Sequence, residues 1–563
     1  MISHIQYRHL LVAWLALICF SFDGVTHAKS GKAAIASAHP LATKAGHEIL
    51  AAGGNAFDAA VAVAATLAVV EPYGSGIGGG GFFLLHRAKD GFEVMLDARE
   101  TAPFAASRDM YLDENGAAVA KLSREGALSA GIPGLPAALE MLAGEYGRKP
   151  LHESLAPAIR HAKQGFAVGQ RYALMAKWRE KLLRRYPASA AQFLADAKAP
   201  EPGFKLVQAD LAATLTLMAD YGARGFYAGE LAARLVEGVR AQGGIWQKRD
   251  LAEYKVIKRE PIYGEYRGMK IMSAPLPSSG GVVLINTLNI LANYDLATLT
   301  KGDQTHLVIE ALRRSYRDRA EYLGDPDFVT VPLERLLHPF YAAGQAAGIR
   351  LDKATPSASL AGSAADAGGN DTTHFSVIDK EGNRVAATLS INFPFGSGFV
   401  VPGTGVVLNN EMDDFAAKAG VPNGYGLVAG RNNPNAIAPG KRMLSSMTPT
   451  ILETDDRVAV IGTPGGSRII TMVLLGTLTF FEGGSAKELV GLPRFHHQFV
   501  PDQVYFEADA FDQNIRLELQ MRGHRLQSAG RKYGNMHVVI LDKRKQRLTA
   551  ASDPRGEGLA EVR

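Results

Sequence analysis

The chain has 563 residues, 47% hydrophobic and 21% charged, which is the make-up of a folded globular protein rather than a disordered or fibrous one. Its 61 basic and 56 acidic side chains leave +5, too mild a balance over this length for a dedicated nucleic-acid binder. The single cysteine, Cys19, excludes an intramolecular disulfide framework, cysteine-based zinc sites within one chain and iron–sulfur clusters.

In chain order, Met1–Ala28 reads as a secretory signal peptide. His4, Arg8 and His9 make a weakly basic start, Leu10–Phe22 is largely apolar, and Thr26-His27-Ala28 offers small residues at a cleavage site. The alternative is an uncleaved anchor, but the apolar run is short for a membrane span. Ile18 before Cys19 argues against a lipoprotein signal. The expectation is an exported protein, periplasmic or secreted, with no stable membrane span once the leader is removed.

From Pro40 to Val70 the apolar spacing predicts helix, interrupted at Gly53-Gly54. Asn55 with Asp58 three residues on is a variant capping box, and Ala56–Val70 is apolar nearly all round, as in a buried helix. The glycine run Gly74–Gly81 leads into Phe82–Leu85. A phosphate-cradling loop requires Gly-Lys-Ser/Thr opening a helix, whereas here a strand follows, so close backbone packing is the better reading. Residues 135–260 read as mainly helical, and Lys177–Arg185 as a basic amphipathic segment, a solvated face more readily than a membrane-surface one. Residues 352–370 lack periodicity and read as an exposed, flexible linker. Strand patterns follow at Thr373–Asp379, Arg384–Asn392, His537–Leu541 and Leu548–Ala551, so strand hairpins and long helices share one layered architecture.

The linker runs directly into Thr372-Thr373-His374 at a strand start. A threonine hydroxyl is a poor nucleophile without a base, but a threonine that has become a chain terminus can use its own α-amine, whose pKa is about 7.7–8.0. On these residues alone the signal is weak, and an ordinary loop before a strand is the better reading. Asn370-Asp371-Thr372 also matches a glycosylation sequon, read as accidental, and His496-His497 are adjacent residues without a ligand cluster, read as structural.

Further motifs bear on this choice: Gly78–Phe82, Asp97-Ala98-Arg99-Glu100, Pro277–Gly281, Tyr322–Phe328, Asn409–Phe415, Leu444–Met447, Pro464–Arg468 and Pro493–His497. Together with Thr372-Thr373-His374, and in this order, they resemble the γ-glutamyltransferase family of N-terminal-nucleophile hydrolases, from about Ala33 to Arg555. The resemblance implies an α+β fold, a four-layer αββα sandwich. It implies self-cleavage at Asp371–Thr372 into a large subunit, residues 29–371, and a small subunit, residues 372–563, which stay associated. It further implies γ-glutamyl amides such as glutathione as substrates, water, amino acids or peptides as acceptors, and no metal or organic cofactor.

Residue by residue, the resemblance makes Thr372 the nucleophile, Gly465 and Gly466 the oxyanion donors, and Ser390 the hydroxyl beside the nucleophile. Arg99, Ser445 and Ser446 would hold the substrate α-carboxylate; Asn392, Glu411 and Asp414 would hold its α-ammonium. Tyr425 would sit on a lid loop over the pocket, and Thr373 would assist maturation. The rivals are a related acylase with a glutaryl-type preference and a catalytically silent exported binding protein.

Overall fold

Strand alternation sorts the core into two clusters. In the strand Gly80–Arg87, Phe82 and Leu84 join one buried cluster while Phe83 and Leu85 join the other. Successive side chains of a strand face opposite ways, so this sheet is covered on both sides. The computed structural model describes residues 32–360 and 372–563; the leader Met1–Ala28 and Asp371 lie outside them.

The covered sheet has seven antiparallel strands, in the order Leu559–Val562, Ala34–Ser37, Thr373–Ile378, Arg384–Ser390, Gly80–Arg87, Phe92–Ala98, Ile257–Arg259. One face packs on a second antiparallel sheet of six strands, ordered Arg547–Ser552, His537–Asp542, Arg457–Gly462, Thr450–Glu453, Met269–Ser273, Ile262–Tyr266. Helices Ala56–Val70 and Leu151–Gln164 cover the far side of the first sheet. Helices Gly280–Leu291 and Ile469–Phe481, with Lys301–Tyr322 behind them, cover the far side of the second. The result is the four-layer αββα sandwich of the α+β class.

Chain segments from before and after residue 371 alternate within the first sheet. Ala34–Ser37 is hydrogen-bonded to Leu559–Val562 on one side and Thr373–Ile378 on the other. Arg384–Ser390 joins Thr373–Ile378 to Gly80–Arg87. A chain break near residue 371 would therefore leave both pieces locked in one sheet and one pair of cores.

Local chemistry sets the elements that carry the site. Asn55 accepts from the N–H groups of Phe57 and Asp58, and Asp58 accepts from Asn55 N–H, so the capping box is complete and all of Ala56–Val70 is buried. The glycine run packs backbone on backbone: a Cβ on Gly79 would lie 2.2 Å from the Ser390 carbonyl oxygen, and one on Gly80 2.3 Å from that of Ala98. This close approach holds Ser390 and Ala98, on the two strands that flank Gly80–Arg87, at the same end of the sheet.

The expected linker needs correction over its described part, residues 352–360. Ala354 N–H donates to the Arg522 carbonyl, Ser357 N–H donates to Asp502 and a short 3₁₀ turn spans Ser357–Ser359. Ala354 and Ser357 are buried. Weak periodicity here reflects anchoring through backbone and single polar contacts, not the absence of packing. The remainder, 361–370, lies outside the described residues. Lys177–Arg185 falls on the helix Gln170–Leu183 and just past it, with Trp178 exposed. Among the described residues no helix is long and apolar enough to cross a membrane.

Candidate active site

Thr372 immediately precedes the strand Thr373–Ile378 and is 6% exposed. It borders a cleft of about 260 Å³ at the end of the first sheet. Arg99, Ser390, Asn392, Glu411, Asp414, Tyr425, Ser445, Ser446 and Gly466 line the same cleft, together with Met447 and Ile469, which sequence reasoning missed. Gly465, one peptide behind Gly466, is the one expected site residue not on this wall.

The charges in the cleft are paired with each other. Arg99 follows the strand Phe92–Ala98 and is 1% exposed. Its Nη1 lies 3.0 Å from Glu411 Oε1, its Nη2 donates to Asp414 Oδ2, and its Nε donates to the Met443 carbonyl at 3.2 Å. Glu411–Asp414 is a 3₁₀ turn, in which side chains three apart eclipse. That spacing brings Glu411 and Asp414 to one guanidinium. Asp413 faces away, accepting from Ser123 Oγ, Arg124 Nε and Gly424 N–H.

Burial disfavours charge throughout this group. It raises the Asp414 carboxyl to about 7, with Arg99 opposing and Glu411 adding to the rise. The same burial raises Glu411, against the pull of Arg99 and the Ser390 hydroxyl. Glu100, fully buried behind Arg99, is pushed well above the usual carboxylate range by desolvation and by Glu411. The three acids and Arg99 form one coupled unit whose protons belong to the group.

Asn392 adds a directed acceptor. Its backbone is left-handed, at φ +74°, its Nδ2 donates to the Asn410 carbonyl at 2.8 Å, and its N–H donates to Ser390 Oγ at 2.7 Å. Its buried Oδ1 has no hydrogen-bond partner among the described residues. A buried amide oxygen in that state favours a donor such as an ammonium. Across the cleft, Ser445 Oγ accepts from Met447 N–H at 3.0 Å, and Ser446 Oγ accepts from Arg319 Nη2 at 3.3 Å.

Gly465 and Gly466 begin the turn into helix Ile469–Phe481, both with left-handed backbones, at φ +145° and +57°. A Cβ on Gly466 would lie 2.3 Å from the Tyr425 ring, and one on Gly465 2.5 Å from Met472 Cε. Neither N–H donates to another group among the described residues, so both are available to a developing negative charge. Gly466→Ala would strain the backbone and displace Tyr425. We expect it to lower kcat on the order of 10²-fold with maturation intact, measured by steady-state kinetics on the processed protein.

The segment around Tyr425 closes over this turn. Tyr425 OH donates to the Asn392 carbonyl at 3.0 Å, and its ring stacks on Phe393 at 5.2 Å. Gln498 Nε2 donates to the Tyr425 carbonyl at 3.2 Å, and Gln498 Oε1 in turn meets His496 Nε2 at 2.8 Å. His496 and His497 are thus absorbed in hydrogen bonds, His497 with Asp502 and Phe499 N–H. Next to Thr372, Thr373 Oγ1 donates to the buried Glu71 at 2.5 Å. His374 is held between Thr388 and Ser376 and does not line the cleft.

Among the described residues one trio, His306, Glu310 and His524, is close enough to share a metal ion. Arg313, Arg314 and Thr355 N–H already occupy the Glu310 oxygens, and His306 Nδ1 is hydrogen-bonded to His524 Nε2 at 2.7 Å. Two arginines on the only carboxylate make this an ion-paired network rather than a ligand set.

With this geometry in place, comparison with known proteins is specific. Residues 42–562 match the gamma-glutamyltranspeptidase family model. The chain is 42% identical to a glutathione hydrolase proenzyme of Pseudomonas sp. (strain A14), over 98% of each chain. It is 37% identical to the acylase ACY 1 proenzyme of Pseudomonas sp. (strain SE83), over 94% of this chain and 93% of that one. The crystal structure of cephalosporin acylase from Bacillus halodurans superposes with a TM-score of 0.84 at 29% identity, covering 95% of this chain and 96% of that one.

Proposed function

The chain belongs to the gamma-glutamyltranspeptidase family, and we propose on that premise that it is a glutathione hydrolase and γ-glutamyltransferase that works through a γ-glutamyl-threonine ester. The observation that carries this reading is the buried Arg99–Asp414–Glu411 cluster beside the Ser445–Ser446 pair, in one cleft with Thr372 and Gly466. A γ-glutamyl donor presents an α-carboxylate, an α-ammonium and a γ-carbonyl. The cleft offers donors, acceptors and oxyanion N–H groups at three places on its wall.

In this reading the precursor cuts itself at Asp371–Thr372, and the freed α-amine of Thr372 becomes the base. The donor enters as a zwitterion and exchanges for the internal ion pairs. Its carboxylate takes the hydroxyls of Ser445 and Ser446 and shares Arg99. Its ammonium takes Asn392 Oδ1, Glu411 and Asp414. Thr372 Oγ attacks the γ-carbonyl carbon as its proton passes to the α-amine, and Gly465 and Gly466 N–H groups hold the oxyanion. The C–N bond breaks, the leaving amine carries the proton away, and an ester remains. Water or an acceptor amine then attacks the ester carbon, giving glutamate or a new γ-glutamyl amide and restoring the threonine hydroxyl. Ser390 steadies the nucleophile, and Tyr425 on the closed segment limits water entry.

The large and small subunits remain one heterodimer, as the interleaved sheet favours. The Met1–Ala28 sequence supports export, to the periplasm in the first instance.

The likeness to cephalosporin acylase supports a second reading, an acylase for glutaryl-type side chains. Such a side chain has no α-ammonium, and the Asp414–Glu411 pair would then bury charge without use. Rates on γ-glutamyl-p-nitroanilide and glutaryl-p-nitroanilide separate the two. Faster cleavage of the glutaryl compound would overturn the γ-glutamyl assignment.

A pH dependence follows from Asp414. Its ionised form attracts the donor ammonium, and its carboxyl is raised to about 7. As pH falls through that value the site takes up a proton, and KM for the donor rises about tenfold per pH unit. The plateau lies above about pH 7, until the donor ammonium itself deprotonates. KM–pH profiles of wild type and Asp414→Asn test this: the acid limb should shift and flatten in the variant, which leaves only Glu411 and Glu100 to take up the proton.

A further inference from the structure

Two buried arginines approach the cleft, and only one has a carboxylate partner. Arg99 pairs with Asp414 and Glu411. Arg319, in the last turn of helix Lys301–Tyr322, is 5% exposed and forms no ion pair within 4.0 Å among the described residues. Burial draws it down to about 10, against the pull of Tyr316 and of the Asp414 carboxylate, with nearby Arg99 adding to the fall. An unpaired buried cation is costly unless the site uses the charge.

Its two hydrogen bonds show the use. Arg319 Nε donates to Ser279 Oγ at 2.9 Å, and Nη2 donates to Ser446 Oγ at 3.3 Å. A guanidinium only donates, so both hydroxyl oxygens act as acceptors toward it. Ser279 Oγ–H donates to the Ser445 carbonyl at 2.7 Å, and Ser279 N–H donates to the same carbonyl at 2.8 Å. Ser445 Oγ accepts from Met447 N–H at 3.0 Å. The hydroxyl protons of Ser445 and Ser446 are thereby left for an acceptor in the cleft these residues line. One turn back on the same helix, Tyr316 OH donates to the Ser467 carbonyl at 2.5 Å, so one helix face braces both the serine pair and the oxyanion turn.

We propose that Arg319 is a positioning and specificity residue for the donor's α-carboxylate: it fixes Ser446 as a hydrogen-bond donor and supplies positive charge, held in no direct ion pair, behind the serine pair. The inference rests on the γ-glutamyl reading of the cleft and deepens it. Arg319 need not touch the substrate, since it acts through Ser446 and, by way of Ser279, through the Ser445 backbone.

The test compares γ-glutamyl-p-nitroanilide with 4-aminobutanoyl-p-nitroanilide, which keeps the ammonium and lacks the α-carboxylate. In Arg319→Met, kcat/KM for the γ-glutamyl donor should fall about 10–100-fold, chiefly through KM. The carboxylate-free donor should change less than about threefold, and Arg319→Lys should recover part of the loss. If turnover of that donor is too slow to follow, the inhibition constants of glutamate and 4-aminobutanoate give the same ratio. Should Arg319→Met yield no soluble protein, Ser279→Ala removes one Arg319 contact at small steric cost and should shift the ratio the same way. Equal losses on both donors, or an unchanged ratio, would overturn the proposal. A wild type inactive on the γ-glutamyl donor would instead overturn the functional reading.

Discussion

Thr372→Ala is expected to remain a single uncut chain and to lose γ-glutamyl hydrolysis by about 10⁴-fold or more, the usual scale for removing a covalent nucleophile. Thr372 borders the cleft beside Ser390 and Gly466, at the start of a strand pinned on both sides in the central sheet. In the proposed mechanism one atom, its Oγ, both cuts the precursor and carries the acyl group, so its loss removes both steps. Thr372→Ser keeps the hydroxyl and should still mature, with reduced rate. A denaturing gel and a chromogenic donor read both outcomes. Full processing of Thr372→Ala would show that another group cuts the chain, and a wild type that stays whole would leave a peptide nitrogen where the base is required. That last result is also what a catalytically silent binding protein would give.

The second large effect is expected at Asp414. Asp414→Asn keeps the shape and removes one of the three carboxylates within 4 Å of Arg99. Removing one member of a buried charge set costs about 2–5 kcal/mol, so kcat/KM on a γ-glutamyl donor should drop about 30- to 4,000-fold. A glutaryl amide, having no ammonium to satisfy, should not lose rate, and the preference between the two donors should narrow or invert. Equal losses on both donors would mean that Asp414 supports the fold of the turn rather than recognition of the ammonium.

Much of the fold is legible in the residues because local signals agree with it. The Asn55–Asp58 box, the helix Ala56–Val70 and the strands on either side of Lys380–Asn383 occur where the patterns place them. The layer order is less legible, since it depends on pairing between strands about 300 residues apart, as between Gly80–Arg87 and Arg384–Ser390. Residues 352–360 escaped because their order comes from partners such as Asp502 and Arg522, distant in sequence.

The site shows the same division. Motif resemblance placed ten residues that line one cleft, including Arg99 and Asp414, which are 315 positions apart. It did not foresee that Arg99 pairs with the very acids expected to bind the ammonium. Pairing of this kind depends on the angle at which the 3₁₀ turn Glu411–Asp414 meets the end of a strand. Arg319 and Tyr316 were missed although they lie within six residues of the Tyr322–Phe328 motif. A charged residue on a long helix reads as a solvated face until its burial is known.

The central claim is that Thr372 becomes a chain terminus and then carries the acyl group. Intact-mass spectrometry of the purified protein, with and without a γ-glutamyl donor before acid quenching, tests it most directly. The expected result is a small chain Thr372–Arg563, a large chain ending at Asp371, and a γ-glutamyl increment on Thr372 alone when donor is present. A single uncut chain, a cut at another bond, or an increment on a different residue would contradict it.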